Sequence, residues 1–383
     1  VPIYVRDNLI STQYIMTTLE ELGLLKMDFL GLRTLTVIQD TINLVKQNRG
    51  IDVEYDKDMS DPKVYKLWQD GDTVGIFQFE SQGITNFMKE LKPDCLEDIV
   101  AGVSLYRPGP MDQIPRYIAN KKDPEHAIYT HPALKPILKV TYGCMVYQEQ
   151  VMQIVRDLAG YSLGRADLVR RAMGKKKLDV MAKEREYFIH GQTDENGNII
   201  IPGCVRNGID EQSANKIFDE MAEFAKYAFN KSHAAAYAVV SYRTAYLKAY
   251  YPAEFMAATL NSFLGNLDKV PLYIDECKRM NIQILKPEIN KSFTKFTVED
   301  GKIRFGLGSI KNVGISVLEA IVKNREEQGP FKDLADFCER MQNDSVNKKC
   351  IESLIKSGAM DEFNQTRATL LASYEDIVDS INT

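Results

Sequence analysis

Four absences narrow the field before any motif is considered. The six cysteines (95, 144, 204, 277, 338 and 350) are scattered, with no CxxC pair. That argues against a zinc site or a disulfide framework and fits a reducing cytoplasm. No apolar run approaches the roughly 20 residues needed to cross a bilayer, so a membrane partner is not expected. The first residues, from Val1 to Asp7, lack the basic-then-apolar plan of a secretory leader. Gly-x-x-x-x-Gly-Lys-Ser/Thr is missing, which excludes a Walker phosphate loop.

An excess of positive charge is also lacking. The chain of 383 residues has a formal net charge of −5, so any affinity for nucleic acid has to come from local patches. One such patch stands out. From Arg156 to Arg185 the sequence holds nine Lys or Arg residues against four acids. Its centre, from Ser162 to Lys177, predicts a helix ending in the adjacent Arg170 and Arg171, then Gly174, then Lys175, Lys176 and Lys177. Neighbouring arginines point about 100° apart on a helix and can grip two sides of a polyanion. Gly174 permits close approach of phosphate oxygens to the backbone. Without other signals, a solvated basic face is the plainer reading.

The remaining sequence predicts a mainly α protein, with a short β segment at the start and a small α+β helical region at the end. A composition of 44% hydrophobic and 26% charged residues suits two or three domains. Leu25, Met27 and Phe29 alternate with Lys26 and Asp28, predicting a strand. The chain opens without methionine and in β-like sequence, as a fragment would. A helix is expected from about 34 to Arg49-Gly50, and another after Asp61-Pro62, ending at Gly71. Asp94 is expected to cap a helix over 95–104. Tyr142–Tyr147 reads as a short strand or extended segment leading into a helix over 148–159. Asp194–Asn198 suggests a surface hairpin, and residues 230–251 predict the clearest helix, stopped by Pro252. Phe293–Leu307 predicts a hairpin with an Asp-Gly turn. Boundaries are expected near 33 and 290.

Lys26 and Asp28 would project from one strand face roughly 6–7 Å apart. A cation beside a carboxylate suits a site that holds a metal and a phosphate chain, although such a pair is more often a plain surface ion pair. One carboxylate does not fix two metal ions, and Asp56, Asp58 and Asp300 sit in turn-like sequence. Asn230 or Ser232 can cap the long helix, placing Lys231 and His233 near its anion-favouring end. His233, Tyr237 and Ser241 form a polar-aromatic stripe on which a base could stack, or they belong to a capped core helix. Gly306–Gly314, before Val317–Val322, has the look of a helix-hairpin-helix. Such a turn presents backbone N–H groups to phosphate without reading sequence. Its Asn312-Val313-Gly314 departs from the usual Gly-hydrophobic-Gly, and a structural αα-hairpin is equally compatible.

These pieces occur in an order that carries a resemblance. Lys26-Met-Asp-Phe-Leu-Gly-Leu-Arg33, Gly75-Ile-Phe-Gln-Phe-Glu-Ser81, Arg107-Pro-Gly-Pro110 and Tyr147-Gln-Glu-Gln-Val-Met152 come first. Arg170-Arg-Ala-Met-Gly-Lys-Lys-Lys177, Phe229-Asn-Lys-Ser-His-Ala-Ala-Ala-Tyr237 and Tyr251-Pro-Ala-Glu-Phe255 follow. The whole chain closely resembles the C-family replicative DNA polymerases of bacteria.

That resemblance implies that 1–33 is the end of a palm, 34–290 the fingers, and 291–383 the helix-hairpin-helix part of a clamp-binding domain. It implies a DNA-templated polymerase using two Mg²⁺ ions, with Asp28 as one metal-binding aspartate. Lys26, Arg170, Arg171 and Lys175 would face the incoming dNTP, and Asn230, His233 and Tyr237 would line its surface. Lys176, Lys177, Lys311, Asn312 and Gly314 would meet primer-template DNA. The family's other aspartates and its phosphate-binding Gly-Ser loop would precede Val1. The sliding clamp and other replisome subunits would be reached through regions outside this chain, so the chain alone is expected to be inactive. The competing reading is a non-catalytic DNA- and nucleotide-binding helical module.

Overall fold

The computed structural model describes all residues except 28, 30, 175–177, 226, 343–345 and 382–383, together with the side chains of 178 and 267. The mainly α expectation holds. The chain opens on an antiparallel hairpin, β1 (Ile3–Arg6) and β2 (Leu9–Thr12). Its turn residues Asp7 and Asn8 take φ of 49° and 64°, the two left-handed positions that a tight hairpin turn demands. Helix α1 (Met16–Glu21) follows and buries nothing. The strand expected over 25–29 is absent among the described residues, and Leu25, Met27 and Phe29 are exposed. Alternation alone does not make a strand; a hydrogen-bonding neighbour is needed, and among the described residues β1 and β2 pair only with each other.

Helix α2 (Arg33–Arg49) stops at Gly50, which supplies the left-handed cap at φ 71°. Helix α3 (Pro62–Asp70) starts as expected: the Asp61 carboxylate accepts from Lys63 N–H, proline occupies the first turn, and Gly71 ends it. Helices α4 (Gln82–Leu91), α5 (Leu96–Leu105) and α6 (Ile114–Lys122) complete the first layer. Asp94 does not cap α5, whose N-cap residue is Cys95. Asp94 instead lies 3.4 Å from Lys121 Nζ, and its own N–H donates to the buried Asp98 carboxylate. A tertiary charge partner has displaced the local capping bond.

A second layer comprises α7 (Lys135–Leu138), α8 (Gln148–Ala159), α9 (Leu163–Gly174), α10 (Leu178–His190) and α11 (Glu211–Phe224). Between α10 and α11 lies the expected hairpin, β3 (Gln192–Thr193) and β4 (Ile199–Ile201). The extended segment before α8 makes one parallel bridge, Tyr147 to Phe229, rather than a strand.

Both layers meet α12 (Lys231–Tyr250), 20 residues long and followed directly by α13 (Pro252–Asn261). Ala234, Ala238 and Ala245 of α12 are fully buried in one core with Tyr65, Trp68, Phe79, Tyr117 and Tyr147. Small residues at this spacing let neighbouring backbones come close. Helix α14 (Val270–Arg279) packs with α2 and α13 on another core around Phe255, Cys277 and Phe296.

The last part adds a three-stranded sheet, β5 (Ile284–Leu285), β6 (Thr297–Glu299) and β7 (Lys302–Arg304), in the order β5-β7-β6. The Asp300-Gly301 hairpin turn is as expected, whereas the parallel strand β5 had no local signature. Helices α15 (Ile315–Gln328), α16 (Leu334–Arg340), α17 (Lys348–Ser357) and α18 (Arg367–Ile381) share a core around Leu318, Phe337, Leu354 and Leu370. Buried Arg325 ties the preceding loop to this bundle by donating to the carbonyls of Ile289, Lys291 and Ser292. No helix of the described residues is long and apolar enough to cross a membrane.

Candidate functional site

Helix α9 carries the arginine pair. The Ser162 hydroxyl accepts from Arg165 N–H at its start, and Ala166, Val169, Ala172 and Met173 turn inward at helical spacing. That buried face leaves Arg170 and Arg171 at the rim, with side chains 21% and 63% exposed. The two do not splay freely. Arg170 donates through Nη2 (2.6 Å) and Nε (3.0 Å) to Asp167 Oδ1, and Arg171 Nε lies 2.6 Å from the other oxygen. The Arg170 hydrogen bonds, against a smaller opposing burial effect, hold the Asp167 carboxyl below its usual range.

Arg170 also reaches across to α8, donating to Gln148 Oε1 at 3.1 Å. Gln148 is anchored at both ends: its backbone N–H donates to Phe229 O (2.8 Å) and its side-chain amide to Ala228 O (3.0 Å). The next residue, Glu149, accepts from Asn230 Nδ2 and from the backbone N–H of Lys231. Asn230, not Ser232, caps α12, accepting from His233 N–H at 2.8 Å. The expected anion site at the start of α12 is therefore filled by the protein's own carboxylate. Helix N-termini attract whatever negative group is nearest, and Glu149 is built in.

Beside this junction lies a cleft of about 480 Å³ lined by Gln78, Glu80, Tyr106, Arg107, His233 and Tyr237, among others. Exposed His233 sits between two aromatic rings, Tyr237 at 4.2 Å and Phe229 at 5.4 Å between centroids. Tyr237 continues the row to Phe77 at 5.1 Å. The guanidinium of Arg107 lies 3.9 Å over the Phe229 ring and donates to Tyr227 O, and burial pushes its pKa down. Gly109 allows this close packing: φ is 101°, and a Cβ there would lie 2.5 Å from the Tyr227 ring. Three stretches distant in sequence, 78–84, 103–107 and 229–237, thus converge on one cleft, and Gln148 ties Arg170 to its Phe229 wall.

Residues 34–196 match the bacterial DNA polymerase III alpha subunit finger domain, and residues 281–370 match a helix-hairpin-helix motif. The chain is 49% identical over 373 residues to the DNA polymerase III subunit alpha of Thermus aquaticus, covering 96% of this chain and 30% of that protein. For the same subunit of Bacillus subtilis the identity is 48%, covering 95% of this chain and 32% of the relative. For that of Borreliella burgdorferi it is 44%, covering 100% and 32%. The chain belongs to the bacterial DNA polymerase III alpha subunit family. It spans about 30% of the length of these curated relatives.

The finger-domain match includes Arg107, Gln148, Asp167, Arg170 and Arg171, whereas Asn230, His233 and Tyr237 fall beyond it. The helix-hairpin-helix match contains the turn at Lys311, Asn312 and Gly314. That turn is exposed: Asn312 takes φ 64° and donates to Ser353 Oγ, and Gly314 is the N-cap residue of α15. It belongs to the C-terminal core and is not part of the cleft. Lys26 lies in the exposed stretch after α1. Asp28, Lys175, Lys176 and Lys177 lie outside the described residues.

Asp167, Gln148, Glu149 and Arg107 were not among the site residues expected from sequence. Asp167 had a readable signal, since an acid three and four residues before two arginines on a helix is placed to pair with both. Arg107, Gln148 and Glu149 stood inside quoted motifs, but their partners lie 80 to 120 residues away.

Proposed function

We propose that this chain supplies the nucleotide-binding fingers and a duplex-gripping helix-hairpin-helix region to a DNA-templated DNA polymerase. On this reading 1–33 ends the palm, 34–290 forms the fingers, and 291–383 is part of the clamp-binding domain. The observation that carries it is the hydrogen-bonded line from Arg170 through Gln148 and the 228–230 backbone to the His233–Tyr237 face. It sets a cationic helix end beside an aromatic cleft, the pairing that a nucleoside triphosphate needs.

Arg170 and Arg171, with Lys26 and Lys175, would bind the phosphate oxygens and offset the charge that grows on them during transfer, an electrostatic role. The His233 and Tyr237 rings would present a stacking surface to base or sugar, and Asn230 would hold the start of α12 in place. Lys176, Lys177, Lys311, Asn312 and Gly314 would meet phosphates of the primer-template duplex. Asp167 keeps Arg170 and Arg171 in place, and Glu149 holds Asn230 and the start of α12.

Two Mg²⁺ ions, with Asp28 as one ligand, complete the reading drawn from the family. The described residues do not fit that pair. Their one compact group of possible ligands is Asp94, Cys95 and Asp98. It mixes a thiol with carboxylates, and Lys121 Nζ sits 2.5 Å from Asp98. The sliding clamp and other replisome subunits remain partners of regions outside this chain.

The test is direct. Purified residues 1–383 bind primer-template duplex with a marked salt dependence and give no primer extension with Mg²⁺ and dNTPs. Clear incorporation would refute the reading that the catalytic carboxylates are contributed from elsewhere. Absence of any duplex binding would favour a structural helical domain. On the DNA side, Lys311→Glu weakens binding about equally for unrelated sequences and reduces the slope of log K against log salt by about 1, because backbone contacts carry no base information. A sequence-dependent loss in filter-binding titrations would remove Lys311 from the duplex contact.

A further inference from the structure

We infer that Asp167 is an exchangeable counter-anion: it holds Arg170 and Arg171 in place while the cleft is empty of triphosphate, and surrenders Arg171 to the incoming phosphates. The inference rests on the nucleotide-binding reading above and adds a positioning residue to it.

Both carboxylate oxygens of Asp167 are engaged, one by Arg170 and the other by Arg171. The two arginines are held unequally. Arg170 has a second anchor in Gln148, itself fixed to the backbone at 228 and 229. It stays where it is when Asp167 lets go. Arg171 is 63% exposed, and its ion pair with Asp167 spans a single helical turn. Such exposed pairs are weak, so a ligand with more charge and more oxygens displaces the carboxylate readily. Asp167 is itself 28% exposed, so water can solvate it after the exchange. With Asp167 in place, pyrophosphate leaving the cleft is replaced at once by an internal anion. That limits how tightly any polyphosphate, substrate or product, is retained.

The experiment uses the complete polymerase that contains this chain, with steady-state incorporation kinetics and inhibition by inorganic pyrophosphate as readouts. Asp167→Asn keeps the shape and one of the two acceptor oxygens but removes the competing charge. Its KM for dNTP falls about two- to fivefold, the scale of an exposed ion pair, and its pyrophosphate inhibition constant falls by the same ratio. Asp167→Glu restores both values. On an Arg171→Ala background the same Asp167→Asn change no longer lowers KM. A merely structural carboxylate gives the opposite pattern, with an unchanged or raised KM in Asp167→Asn. If that occurs while Arg171→Ala alone still raises KM, the exchange is overturned and the nucleotide-binding role of the arginines survives. If neither Arg171→Ala nor Asp167→Asn moves KM, the nucleotide-binding reading falls, and the exchange with it.

Discussion

Replacing Arg170 and Arg171 together by alanine in the complete polymerase lowers kcat/KM for dNTP roughly 10²- to 10³-fold, while affinity for the primer-template duplex changes by less than about fivefold. The magnitude follows from hydrogen bonds to charged groups, about 1.5–3 kcal/mol each, with tenfold for every 1.4 kcal/mol. The selectivity follows from position. Arg170 is bonded to Gln148, which is tied to the backbone leading into the His233–Tyr237 face. The exposed turn at Lys311–Gly314, the expected duplex contact, belongs to a different core. Single-turnover incorporation and duplex titration on the same preparations separate the two effects. Equal loss of both would make the arginines part of the folding of α9, since the double change also strips Asp167 of its two partners. No loss of either would leave only a solvated basic face, the plain reading of the charge cluster.

The parts of this arrangement that were legible in sequence are those whose physics is local. Asp61-Pro62 with Gly71, Gly50 after Arg49, and Asn230 before α12 all act through bonds to residues within a few positions, and all appear as expected. The basic cluster was equally visible, because charge density needs no fold to be counted. What failed were features in which a distant group outcompetes the local one. Asp94 could cap α5, yet Lys121 and Asp98 hold it elsewhere. The start of α12 could attract a phosphate, yet Glu149, some 80 residues earlier, is already there. Leu25, Met27 and Phe29 alternate as a strand would, but among the described residues β1 and β2 pair only with each other, and no strand pairs with this segment. The cleft itself was out of reach. Its walls come from three motifs that order along the chain could flag but not assemble.

Glu276→Ala destabilises the fold by about 3–5 kcal/mol, more than any other single change considered, because it leaves an ammonium buried without its counter-charge. Lys248 of α12 is 1% exposed and Glu276 of α14 is 5% exposed, 2.7 Å apart. All three protons of Lys248 are used, the other two going to the carbonyls of Asp72 (2.9 Å) and Val74 (2.7 Å). Arg279 closes the network by bonding Glu276 and Asp72. The loop it secures, 72–74, runs straight into Gly75–Ser81 on the wall of the cleft, so loosening it should also raise KM for dNTP. Lys248→Met, which removes the charge and keeps the bulk, costs much less than Glu276→Ala; equal costs would mean that packing rather than charge is at stake. The pH dependence has a definite sign. Burial, against the opposing pull of Glu276, already lowers the Lys248 pKa, and the variant lowers it further. The folded variant therefore binds fewer protons than the unfolded chain, and its stability rises with pH towards 10.5, where the unfolded lysine loses its proton. In the parent protein burial pushes the Glu276 pKa up, but Arg279 and Lys248 prevail and hold it below 4.5. That contribution is complete above pH 4.5 and is lost as pH falls through the lowered value. Denaturant midpoints from pH 3 to 10 for both proteins would show the two curves furthest apart near neutral pH and converging towards both ends; parallel curves would refute a buried, charged Lys248.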